Sequence, residues 1–129
     1  MKIRIQGNSL RIRLTQSEVR RIADGGIVEQ VTVFSPLAKL SMRVEPSPQV
    51  QTPIATFESE NLTLRLPSNE SRKWAESDQV GIEAEQAVGG GATLRILIEK
   101  DFECLHPRAD EISEAFPNPQ RSASSSDQS

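Results

Sequence analysis

Seven cations stand at alternate positions with apolar partners: Lys2, Arg4, Arg11, Arg13, Arg43, Arg65 and Arg95. Lys2-Ile3-Arg4-Ile5 and Leu10-Arg11-Ile12-Arg13-Leu14 are the clearest runs. A strand sends successive side chains to opposite faces, so each run puts its cations on one face and its aliphatics on the other. Guanidinium groups gathered in that way suit phosphate, which they hold bidentately. Glu83 and Glu85 lie two apart in Gly81-Ile82-Glu83-Ala84-Glu85. Their carboxylates would point the same way and could hold a hard cation, with Mg²⁺ the natural choice. No other cofactor is indicated. The chemistry on offer is therefore anion binding, with a divalent metal as an optional helper.

The elements that must position these groups repeat. Residues 9–28, SLRIRLTQSEVRRIADGGIV, align with residues 61–80, NLTLRLPSNESRKWAESDQV. Leu10 meets Leu62, Arg13 meets Arg65, Glu18 meets Glu70, Ile22 meets Trp74 and Val28 meets Val80. Such self-similarity is best sought first, because it decides the architecture. Strands are expected at 2–6, 10–14, 27–34, 40–45, 52–58, 61–66, 79–86 and 93–99. Helices are expected at 16–24 and 69–76. Thr15 with Glu18 forms a capping box, and Gly25-Gly26 ends the first helix. Gly7-Asn8-Ser9, Ser59-Glu60 and Gly89-Gly90-Gly91 supply hairpin turns.

The fold expectation is α+β. A duplicated ββαββ unit, about 2–45 and 53–100, would form an eight-stranded antiparallel barrel or strongly curved sheet with two short helices. One domain covers 1–106. Residues 107–129 form an acidic, Ser-rich tail expected to be disordered. The aliphatics Ile3, Ile5, Leu40 and Val80 are placed in the core with their neighbours. If the strands close with helices outside, the seven cations line a channel, where focused potential binds a polyanion.

Charge and composition set limits. Residues 1–100 hold thirteen Lys and Arg against twelve Asp and Glu, and residues 101–129 hold two against six. The folded part is not basic enough to expect nucleic acid. With four Phe, one Trp and no Tyr, base stacking has little support either. Cys104 is the lone cysteine, so no intrachain disulfide forms. With no apolar leader and no spanning run, a cytoplasmic location is the expectation, without membrane contact. Oligomeric state is not legible. Asp101, Cys104 and His106 lie close in sequence, but a structural metal site needs about four ligands.

The strand order, the repeat and Ser9-Leu10-Arg11-Ile12-Arg13-Leu14 together resemble the triphosphate-tunnel, or CYTH-like, barrel. That superfamily includes thiamine triphosphatases, class IV adenylyl cyclases and inorganic triphosphatases, which act on triphosphates with divalent metal. The resemblance implies an eight-stranded channel, a phosphorylated small-molecule ligand such as a nucleotide or polyphosphate, and triphosphatase activity as its enzymatic extension. The superfamily's first strand carries Glu-x-Glu-x-Lys, whereas this one reads Lys2-Ile3-Arg4-Ile5-Gln6. The chain also resembles a family of short uncharacterised bacterial proteins that begin Met-Lys-Ile-Arg. Met1 to Arg4, Trp74-Ala75, Asp78 to Gly81 and Glu99 to Leu105 carry that likeness. It implies no activity. A non-catalytic interaction module with a solvated charged sheet face is the alternative from another class.

Overall fold

The computed structural model describes residues 1–102. Eight strands and two helices follow one another as β1 (Lys2–Gln6), β2 (Ser9–Leu14), α1 (Gln16–Ala23), β3 (Val28–Ser35), β4 (Ala38–Ser47), β5 (Ile54–Glu58), β6 (Asn61–Pro67), α2 (Ser68–Ala75), β7 (Gly81–Gly89) and β8 (Ala92–Lys100). The α+β class and the element order agree with the sequence reading. The closed antiparallel barrel does not. The strands form two four-stranded mixed sheets, β1-β2-β8-β7 and β3-β4-β6-β5. Consecutive strands pair as antiparallel hairpins, but the hairpins join through parallel contacts, β2 with β8 and β4 with β6. Each sheet thus takes one hairpin from each half of the chain.

The local chemistry of the helices explains where they begin and end. Thr15 accepts a hydrogen bond from the Glu18 amide, and Glu18 accepts one from the Thr15 amide at 2.9 Å. Past Asp24, Gly25 takes φ +88° and donates to the Ile22 carbonyl, while Gly26 donates to Arg21. These two bonds satisfy carbonyls left open by the last turn, and the positive φ favours glycine. The second helix has Pro67 at its N-cap and no side-chain cap. Proline loses nothing there, since that amide would have no helical partner.

The core sits between the sheets and under the helices. Leu10, Ile12, Leu14, Ile82, Ile96 and Ile98 come from one sheet, and Val28, Met42, Val44, Leu64 and Leu66 from the other. Val19, Ile22 and Trp74 insert from the helices, which also pack on each other. The apolar faces therefore turn inward, and the cations turn outward. This is the physical reason the barrel expectation fails: the aliphatic stripe and the helical faces need one another, leaving no polar interior to enclose.

The two halves do not match at one fixed offset throughout. Val28 lies opposite Val44, and Ile82 lies opposite Ile98. Val28 and Ile82 are both buried, whereas Val80 is exposed. The counterpart of Val28 is therefore Ile82 and not Val80, because two extra residues precede the last hairpin. Ile5, expected inside, is 66% exposed, and Phe57 is 64% exposed. Both lie on edge strands, β1 and β5.

Gly81 has a steric reason to be glycine. A Cβ there would lie 2.7 Å from the Ile98 carbonyl oxygen and 3.1 Å from Glu99 Cβ. The oxygen belongs to a paired strand and cannot step aside. Gly81→Ala is expected to cost about 1–3 kcal/mol, the usual range for overpacking. Urea denaturation followed by circular dichroism measures it.

Candidate functional site: two charged sheet faces

Register fixes which charged groups are neighbours. On the first sheet, Lys2 faces Arg13 and Arg4 faces Arg11 across β1 and β2. The next strand sets Glu99 beside Arg13, Leu97 beside Arg11 and Arg95 beside Ser9. The last strand sets Glu83 beside Leu97 and Glu85 beside Arg95. Five of the seven cations thus share one outer face, while Arg43 and Arg65 lie on the second sheet.

Like charges directly across a strand pair repel. On β1 and β2 the repulsion is offset by one carboxylate. Glu99 Oε1 accepts from Arg11 Nη2 at 2.7 Å, Arg11 Nε at 3.0 Å and Arg13 Nε at 2.9 Å. Glu99 is only 8% exposed. Burial pushes its carboxyl up, but the hydrogen bonds and charges of Arg11 and Arg13 outweigh this and hold it below the usual value. Lys2 Nζ meets Asp101 at 3.1 Å. Arg95 stands 3.9 Å from Glu85. Among the described residues no carboxylate pairs with Arg4.

The second sheet repeats the device. Glu45 receives Arg65 Nε at 3.3 Å and Arg43 Nη1 at 3.7 Å. Glu29 receives Arg43 Nη2 at 3.0 Å and the Ser41 hydroxyl at 3.2 Å. The Arg43 and Ser41 hydrogen bonds hold the Glu29 carboxyl below its usual value, and Glu29 in turn raises Arg43. The cations are therefore spread over two outer faces and mostly engaged by strand-borne acids. A cleft of about 710 Å³ at the helix ends is lined by Leu14, Val19, Arg20, Lys100 and Phe102, among others, and by none of the seven.

Glu83 and Glu85 share the outer face of β7, as their spacing requires. Among the described residues no group of three or more His, Cys, Asp or Glu could hold a metal ion. Cys104, His106 and the expected tail at 107–129 lie outside the described residues. The partners Glu29 and Glu45 escaped the sequence reading. Glu45 follows Arg43 by two and shares its face, which was the available signal. Glu29 carries no such signal, because only the β3–β4 register brings it to Arg43.

One further contact ties the sheets together. Gln86 on β7 accepts from the Ala55 amide at 2.8 Å and donates to the Ala55 carbonyl at 2.9 Å. Its side-chain amide thus stands in for one rung of a strand ladder, joining the edge β7 to the edge β5. Among the described residues no helix is long and apolar enough to cross a membrane.

No curated protein and no solved structure matches the chain. The sequence model of a family of unknown function, DUF7009, matches residues 1–120. That match covers every strand and helix of the described residues, so the chain belongs to the DUF7009 family.

Proposed function

We propose that the chain is a non-catalytic interaction module, and that the β1–β2 face takes an acidic protein segment. The observation that carries this reading is the pairing of cations with acids across open sheets. A triphosphate site needs cations converging on one cavity, whereas a flat face with a surplus of positive charge suits an extended polypeptide. Lys2, Arg4, Arg11 and Arg13 outnumber Glu99 and Asp101 there, and Arg4 is the cation left over. The duplicated ββαββ origin belongs to the same proposal. It is supported by matched ion pairs, Arg13–Glu99 in one sheet and Arg65–Glu45 in the other.

A labelled hexaglutamate peptide, followed by fluorescence anisotropy at low salt, tests the reading. Binding should weaken as salt rises. Arg4→Glu should weaken it by about tenfold, the equivalent of about 1.4 kcal/mol. Arg43→Glu, on the other sheet, should leave it unchanged. A flat titration removes the proposal. A thermal-stability rise with tripolyphosphate and Mg²⁺, absent with the peptide, would instead support a phosphorylated small molecule as ligand.

A further inference from the structure

The four sheet edges are not equally protected. An edge strand offers unpaired backbone groups to any other strand, and charges or covering groups normally blunt it. Edge β1 carries Lys2 and Arg4. Edges β5 and β7 are bridged by Gln86. Edge β3, Val28-Glu29-Gln30-Val31-Thr32-Val33-Phe34-Ser35, is exposed everywhere except Val28. It contains no proline and a single charge, Glu29, whose Oε2 accepts from Arg43 at 3.0 Å. Val31 and Val33 are 49% and 69% exposed on its outer face.

We infer that β3 is a self-association edge, pairing antiparallel with β3 of a second copy about a twofold axis at Val31. Three features select this occupant and register. Side chains alternate with a period of two, so only registers that set Val31 against another outer-face residue keep both outer faces together. Pairing with β4 is regular from Val28 to Val33 and shifts between Val33 and Ser35. Centring on Val31 uses the regular part alone. It also sets Glu29 against Val33 of the second copy, whose β4 neighbour is Lys39. Strands lie about 4.8 Å apart, so Glu29 and that Lys39 are two strands, roughly 10 Å, apart at Cα, within reach of the two long side chains. The contact is isologous, so the complementary pair occurs twice. It joins the two four-stranded sheets edge to edge, with both sets of helices on one side.

Light scattering on the eluting full chain, between about 10 and 300 μM, should give the mass of two chains. Val31→Lys sets two ammonium groups against each other on the axis and should return the mass to one chain. Its circular dichroism should stay unchanged, because Val31 is exposed. In a Cys104→Ser background, Val31→Cys should form an intermolecular disulfide on mild oxidation, whereas a cysteine in place of exposed Leu37 should not. A wild-type chain that stays monomeric overturns the inference. So does a dimer that survives Val31→Lys, or one in which Val31→Cys fails to cross-link.

Discussion

Trp74→Ala is expected to remove about 3–5 kcal/mol of stability, the range for deleting a fully buried aromatic. Trp74 has no exposed surface and sits where α1 carries Ile22. Its indole Nε1 donates to the Val80 carbonyl at 3.0 Å. The same carbonyl accepts the Lys100 amide at 3.0 Å, so the ring pins the start of β7 to the end of β8. Lys100 Nζ lies 6.0 Å from the ring centroid and donates to the Ser77 carbonyl. Packing outweighs both polar contacts. A hydrogen bond contributes about 1 kcal/mol net, and a solvated ammonium near a ring about 0.5–1. Trp74→Phe should therefore cost only about 1–2 kcal/mol, since Val80 keeps its backbone donor. Urea denaturation by circular dichroism separates the two variants. An alanine variant no weaker than the phenylalanine variant would show that the ring's bulk is not what holds this corner.

That corner also shows what the sequence made legible. The repeat alone aligns Trp74 with Ile22, and both are buried. Alternation located the central strands β2, β4, β6 and β8, whose inner residues fill the core. The capping box and the glycine pair marked α1 to within a residue. Alternation reports faces, however, and carries no information on which distant hairpin lies alongside. The parallel β2–β8 and β4–β6 contacts join segments far apart in sequence. Ile5 and Phe57 alternate as faithfully as Ile12, yet stay exposed, because burial at an edge depends on what covers it. The alternation places the cations on strands, but register sets their partners: Glu99 reaches Arg13 only because β8 lies beside β2. The expected match of Val28 with Val80 misses by two residues, since Ile82 and not Val80 takes the buried position.

The register that makes Glu99 a shared acceptor sets up opposite expected effects of Glu99→Gln on stability and on binding. At neutral pH the substitution leaves Arg11 and Arg13 without a negative partner on a half-buried face. Hydrogen bonds to charged groups contribute about 1.5–3 kcal/mol, and partial exposure of both guanidiniums draws the expected loss toward about 1–2 kcal/mol. The pH dependence follows from the sign of the shift. The folded-state carboxyl titrates below the ordinary 4.5. Its stabilisation is complete above that value and is lost as pH falls through the depressed folded value. The wild-type chain should thus lose stability on acidification more steeply than Glu99→Gln, and the two should converge at low pH. Parallel acid limbs would mean that Glu99 is not a linked group. Binding should move the other way. With its internal anion gone, the β1–β2 face gains one unit of positive charge, and hexaglutamate should bind several-fold more tightly at low salt, a gain that screening removes. Lower stability with tighter binding is the combination that distinguishes an acid restraining a docking face from one that merely holds two strands together.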